Sequence, residues 1–155
     1  NITVSTCGIV PMILNFAEDF NQVNLAISLH ASSDEDRSAI MPINNRYDIK
    51  EVLSACDEYT KKTKCRITYE YTLVSGVNDS VQSAKRLAGL LKGKLCHVNL
   101  IPLNEVKDSG FVTVSKSKAF EFQKALEEAG IPATIRRELG DDIDAACGQL
   151  RLNNE

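Results

Sequence analysis

The chain has no CxxC pair, no long apolar run, no signal-peptide pattern and no excess of positive charge. Each absence removes a class of protein. Without paired-cysteine spacing, the five cysteines (Cys7, Cys56, Cys65, Cys96, Cys147) suggest neither a zinc ribbon nor a disulfide framework. Free thiols in a reducing cytoplasm are the economical expectation. Without an apolar stretch of roughly 20 residues, no membrane-spanning helix is expected. A net charge of -3 makes this stretch a poor main electrostatic grip on nucleic acid. No linker or low-complexity segment interrupts the chain. Strand ends carry neither a glycine-rich phosphate loop nor a Schiff-base lysine, which argues against barrel enzymes of the aldolase or phosphate-handling type.

What is present is an ordinary globular composition over 155 residues, 43% hydrophobic and 25% charged, enough for one domain with a sizeable core. Strand and helix patterns alternate along it. Residues 2–5 read as a short strand. A helix follows from Ile9, with Pro11 in its first turn and Val10, Ile13, Leu14, Ala17 and Phe20 as its apolar stripe. Residues 24–30 form a second strand, and Asp34–Ile40 a short helix with acidic residues at its start. Asp48 and Glu51 fit a capping box at the head of a longer helix lined by Ile49, Val52, Leu53, Cys56 and Tyr59.

Residues 66–74 make a third strand, rich in β-branched and aromatic side chains. After a turn at 76–79, a helix buries Ala84, Leu87, Ala88 and Leu91. Residues 95–101 are a fourth strand, followed by a loop of about a dozen residues, long enough to be suspected of function. Ser115 or Ser117 caps a last helix with stripe Ala119, Phe122, Leu126 and Ala129, closed by Gly130 and Pro132. Residues 133–137 are a fifth strand.

This order implies a parallel α/β sheet with right-handed crossovers. The strands indicate how it closes. In 24–30, Leu25, Ile27 and Leu29 alternate with Ala26, Ser28 and His30; in 66–74, Ile67, Tyr69, Tyr71 and Leu73 alternate with Thr68, Glu70 and Thr72. A sheet covered on both faces carries near-continuous apolar strands instead. We therefore expect a partial (β/α) barrel whose polar positions face a hollow. A complete barrel takes roughly 250 residues. Five units in a chain that opens inside a strand lead us to expect a single domain, 1–155, from a longer protein.

Ligands of such barrels sit at the C-terminal strand ends. That rule selects Ser5 and Thr6, Ser28 and His30, Thr72, the stretch 99–104 with Asn104, and the loop carrying Cys147. Each has a plainer reading: Ser5 as a helix cap, His30 as a satisfied structural histidine, Asn104 as a turn residue, Glu70 as the partner of Arg136 in a structural ion pair. The other four cysteines read as packing or surface thiols. The segment 136–150 is the most informative. It sets Cys147 between Ala146 and Gly148 in an aspartate-rich loop just after a strand, sterically open and able to act as a nucleophile if made a thiolate. The alternative is a surface-loop cysteine without a role. Residue types alone lead to a small-molecule or cofactor site in a β/α barrel, and to no particular reaction.

The motifs VSTCGIVP at 4–11, LAISLHA at 25–31, MPIN at 41–44, VNDS at 77–80, NLIPLN at 99–104 and GDDIDAACGQLR at 140–151 run in order through the chain. Together they resemble the C-terminal part of the radical-SAM core of the RlmN/Cfr family of rRNA adenine methyltransferases. The last motif is more similar to the RlmN branch, which methylates adenine C2; the Cfr branch, which methylates C8, is the alternative. An unrelated β/α-barrel enzyme and a non-catalytic binding fragment are further alternatives.

The resemblance implies S-adenosylmethionine contacts at Ser5, Ser28, Leu29, His30 and Asn104, with Cys147 as the thiol that becomes S-methylated and carries the one-carbon unit. It also implies a [4Fe–4S] cluster, reductive cleavage of a second S-adenosylmethionine to a 5′-deoxyadenosyl radical, and addition of a carbon radical to the adenine ring. An aromatic adenine carbon is too poor a nucleophile for simple methyl transfer, so a covalent carrier and a radical cofactor answer a chemical need. Implied partners are 23S rRNA, in some relatives tRNA, and an electron donor such as flavodoxin or ferredoxin. The sequence departs from the family pattern in lacking its CxxxCxxC cluster motif, the GGEP-like segment, the basic RNA-binding domain and the second, disulfide-forming cysteine. From these departures we expect an rRNA methyltransferase as the intact parent and an inactive isolated chain.

Overall fold

The computed structural model describes residues 2–103, 110 and 112–136. Five strands, β1 (Thr3–Thr6), β2 (Asn24–Ser28), β3 (Ile67–Leu73), β4 (Cys96–Pro102) and β5 (Ala133–Ile135), form one sheet in the order β1-β2-β3-β4-β5. Every pairing is parallel. Between them lie α1 (Val10–Asp19), α2 (Asp34–Ile40), a 3-10 turn (Pro42–Asn45), α3 (Ile49–Thr63), α4 (Val81–Leu91) and α5 (Lys116–Glu128). Strands that follow one another in sequence and space, joined by crossovers of one hand, put their helices on one side of the sheet.

The register supports this. Leu25 pairs with Ile67, which pairs with Cys96; Ile27 pairs with Tyr69, Tyr69 with Val98 and Val98 with Ala133, so these residues share a face. They are buried together with Ile13, Val52, Leu53, Leu87, Leu91, Phe122 and Leu126 from the helices. Tyr71 of β3 packs on Phe122 of α5 with ring centroids 5.0 Å apart. The opposite face carries Ser5, Ala26, Ser28, Thr68, Glu70, Thr72, His97, Asn99 and Thr134 in register. Burial in β3 alternates strictly, with every second residue buried and those between only half-buried. The alternation of period two therefore reports a sheet covered on one face, as the sequence led us to expect.

The helix starts also follow from the sequence. Asp48 accepts from the Glu51 N–H at 2.9 Å while the Glu51 carboxylate accepts from the Asp48 N–H at 3.1 Å, completing the capping box of α3. Ser33, Ser80 and Ser115 cap α2, α4 and α5 through their hydroxyls. Ser115, not Ser117, is the cap of α5. Ala129 is exposed, outside the stripe expected for that helix, because α5 ends at Glu128. The second strand stops two residues short of the expected span, for a reason that belongs to the site.

Candidate functional site

The C-terminal ends of β1, β2 and β3 hold the described candidates. Ser5 is exposed on β1 and in register with Ala26; Ser28 ends β2, half-buried, in register with Glu70. Beyond Ser28 the ladder breaks. Both the Leu29 and the His30 N–H donate to the single carbonyl of Glu70, at 3.0 and 3.2 Å. His30 then takes φ +60°, a left-handed conformation uncommon for residues other than glycine. Its ring does not stand out from the open face as strict alternation implies. Nδ1 accepts the Thr72 backbone N–H at 3.0 Å, which places the ring in the seam between β2 and β3.

An imidazole nitrogen that accepts a hydrogen bond is unprotonated, so the neutral ring carries its proton on Nε2. Burial, and next the positive charge of Arg37, lower the His30 pKa from 6.5 to about 4. At neutral pH His30 is an uncharged group with its N–H donor at Nε2. Leu29 is different: its side chain lies in the core, its N–H is bound to Glu70, and its carbonyl accepts from Arg37 Nε at 3.1 Å.

Arg37 is the residue that sequence reading missed. It lies fully buried behind the strand ends. Its guanidinium donates to the carbonyls of Leu29, Ser28 (3.1 Å) and Cys7 (2.8 Å), to Asn44 Oδ1 (3.0 Å) and, at 3.5 Å, to the Tyr47 carbonyl. Five donors on a rigid fork suit a cluster of backbone acceptors. Asn44, from the MPIN motif, in turn donates to Ser38 Oγ and Asp34, whose carboxylate accepts the Ile49 N–H. MPIN is thus accounted for by packing and hydrogen bonding beneath the site. Gly8 fits the same arrangement. At φ +97° it closes the turn after β1, and a Cβ there would meet Val52 at 3.0 Å and Arg37 Nη2 at 3.4 Å. An arginine inside a short acidic helix gives no sequence signal of burial, since its acceptors are carbonyls distant along the chain.

The VNDS motif resolves in the same way. Asn78 is buried and donates from Nδ2 to the carbonyls of His30 (2.9 Å) and Thr72 (2.7 Å), while its Oδ1 accepts the Val74 N–H at 2.7 Å. Tyr71 Oη donates to its carbonyl at 2.8 Å. Asp79 accepts the Gly76 N–H and lies 3.5 Å from Lys118 Nζ, tying the turn after β3 to α5.

Asn104 and Cys147 lie outside the described residues. Cys56 and Cys96 are buried packing thiols, as expected; burial pushes Cys56 up to about 12 and raises Cys96. Cys7 and Cys65 are half-buried and unpaired with one another. The expected ion pair of Glu70 with Arg136 is not found among the described residues: Glu70 is half-buried and Arg136 exposed, and Arg136 instead extends the sheet by donating its N–H to Leu100. No three His, Cys, Asp or Glu side chains gather into a metal site among the described residues. No described helix is long and apolar enough to cross a membrane.

No family model matches the chain. Curated relatives do. A protein of Clostridium perfringens (strain SM101 / Type A) named probable dual-specificity RNA methyltransferase RlmN is 58% identical over 151 residues, covering 97% of this chain and 44% of that protein. Proteins with the same name from Thermoanaerobacter sp. (strain X514) and Staphylococcus aureus (strain JH9) are 55% and 53% identical, again over 97% of this chain, and are covered to 44% and 42%. The chain therefore spans less than half the length of the curated relatives it matches.

Among solved structures, a radical SAM methyltransferase from Sphaerobacter thermophilus superposes with a TM-score of 0.91 at 51% identity, over 96% of this chain and 43% of that one. A domain of a pyruvate-formate lyase-activating enzyme from Bacteroides vulgatus ATCC 8482 shares the fold alone, with a TM-score of 0.68 at 17% identity, over 87% of this chain and 80% of that one. On identity of more than half over nearly all its residues, this chain belongs to the RlmN/Cfr family of radical-SAM proteins, as a segment of it.

Proposed function

We propose that the chain supplies the S-adenosylmethionine-holding strand ends and the methyl-carrying thiol of an RNA adenine methyltransferase. The observation that carries this reading is 53–58% identity to RlmN-named proteins across 97% of the chain. It coincides with strand ends built to hold donors rigidly. Identity of that extent leaves an unrelated barrel enzyme without support.

The donors present suit the proposed ligand. A polar, zwitterionic molecule with an adenosine half calls for hydroxyl and N–H groups beside an apolar floor. Ser5 and Ser28 offer hydroxyls from adjacent strands, and His30 offers Nε2–H. Leu29 gives the floor its shape from within the core. Asn104, outside the described residues, is proposed as a further contact through its side-chain amide. When bound, S-adenosylmethionine supplies the methyl group and, in partnership with a [4Fe–4S] cluster, the radical chemistry that an unreactive adenine carbon requires. Cluster ligation is another matter: the described residues gather no such set of ligands, and Cys56 and Cys96 are enclosed in the helix-side core.

Cys147 is proposed as the carrier nucleophile, its thiol accepting the methyl group with loss of its proton. The proposed substrate is adenine in 23S rRNA, at C2 in keeping with the RlmN-named relatives. The words "dual-specificity" in those names support a second RNA, for which we propose tRNA. A flavodoxin- or ferredoxin-type electron donor and a cytoplasmic location complete the reading.

The test is a chimera in which these 155 residues replace the matching segment of the Clostridium perfringens relative. Methyl transfer from labelled S-adenosylmethionine to adenine of an rRNA fragment is expected, and Cys147→Ala in the chimera should abolish it. A folded chimera with no transfer, or one whose Cys147→Ala variant transfers equally well, overturns the proposal.

A further inference from the structure

We propose that Asn78 is a positioning residue for His30: its side chain clamps the end of β2 to the end of β3 so that the imidazole presents an Nε2–H donor to the ligand. The inference rests on the reading above for the identity of that ligand, but the clamp itself is a matter of geometry within the chain.

Three contacts define it. Asn78 Nδ2 donates to the His30 carbonyl at 2.9 Å and to the Thr72 carbonyl at 2.7 Å, bridging the two strands across the point where their ladder has stopped. Asn78 Oδ1 accepts from the Val74 N–H at 2.7 Å, fixing which end of the amide faces the strands. The Thr72 N–H, which has no ladder partner on β2, is left for His30 Nδ1 at 3.0 Å. The amide and the imidazole therefore satisfy the Thr72 peptide on both of its polar sides, one taking the N–H and the other the C=O.

His30 sits at φ +60°, a conformation that persists only where its surroundings over-determine it. Asn78 and the Glu70 carbonyl, which accepts the His30 N–H, provide that constraint. Remove Asn78 and the peptide after His30 is free to rotate. The ring then loses its register with Thr72, and either nitrogen can hold the proton. Asn78 is buried, and two Nδ2 protons and one Oδ1 lone pair are consumed by this arrangement. A ligand acceptor, such as a ring nitrogen or a hydroxyl or carboxylate oxygen of S-adenosylmethionine, would meet a donor of fixed identity.

Imidazole nitrogen–proton correlation spectra of the chain separate the two tautomers and do not depend on any ligand. In the unmodified chain His30 should be the Nε2–H tautomer alone; Nδ1–H would overturn the proposal outright, whether or not any variant folds. Asn78→Ala and Asn78→Asp should yield a tautomer mixture. They should also raise the dissociation constant for S-adenosylmethionine about tenfold, the size expected from mispositioning one hydrogen bond. Combined with His30→Ala, neither should weaken binding further than His30→Ala alone. Lower thermal stability with tautomer and affinity unchanged would make Asn78 merely structural and overturn the proposal. If S-adenosylmethionine fails to bind the unmodified chain, the ligand assignment falls, while the tautomer spectra still decide the clamp.

Discussion

The two faces of one sheet are built on opposite terms. On the helix side, Leu25, Ile27, Tyr69, Tyr71, Val98 and Leu100 meet four helices in a dry core. On the other side, Ser28, Thr68, Glu70, Thr72, His97 and Asn99 stand half-buried with few fixed partners, His97 to Thr134 at 2.8 Å being one. The difference teaches where rigidity originates. The strand ends of the polar face are held from behind and beside by Arg37 and Asn78, whose side-chain hydrogen bonds all go to backbone or to a buried amide. A site that must offer unsatisfied donors to a ligand has its own polar groups positioned by others that are fully satisfied.

The largest effect should come from the residue joining both sides. Arg37→Met leaves the carbonyls of Cys7, Ser28 and Leu29 and the Asn44 amide oxygen without their donor. At roughly 1–3 kcal/mol for each buried orphan, softened by relaxation, the loss should be on the order of 4 kcal/mol in urea unfolding. A loss below about 1 kcal/mol would mean that these groups reach water, and that the site is not held from behind.

The faces themselves are compared by a pair of truncations. Leu87→Ala, in the core between α4 and the sheet, should cost about 3 kcal/mol. Thr68→Ala on the polar face should cost less than about 1 kcal/mol, mainly through strand propensity. Equal costs would show that the polar face is also a packed core.

Acid should weaken the site end of the molecule specifically. His30 has a folded pKa of about 4 against 6.5 unfolded, so between these values the unfolded chain binds the extra proton. Stability from this residue is therefore complete above pH 6.5 and falls as pH drops toward 4, by about 2 kcal/mol at pH 5. Asn tolerates the left-handed conformation and does not titrate, so His30→Asn should flatten this part of the stability–pH curve. An unchanged curve would remove His30 from the constrained set.

A small effect is also expected at the head of α3. Asp48→Ala breaks the capping box of α3 and should cost about 1 kcal/mol in thermal unfolding without changing the His30 tautomer. A change in tautomer would show that strain travels from the helix cap to the strand end.

Much of this was legible in the chain alone. Period-two alternation in 66–74 gave the one-sided sheet, Asp48 with Glu51 gave a helix start, and the ordered motifs gave the family. Those signals are local, because side-chain direction in a strand and the reach of a cap are set within a few residues. The end of β2 was not legible. His30 continues the alternation on paper, yet the Glu70 carbonyl, forty residues later, collects two N–H groups and turns the ring toward Thr72. Arg37 and Asn78 were hidden for the same reason. By itself, the sequence determined the order of strands and helices, which side of the sheet is apolar, and kinship with RNA methyltransferases. Tertiary structure alone decided which polar residues stand on the open face and which hold the strand ends from behind, because a hydrogen bond's partner is set by closeness in space and leaves no periodic trace along the chain.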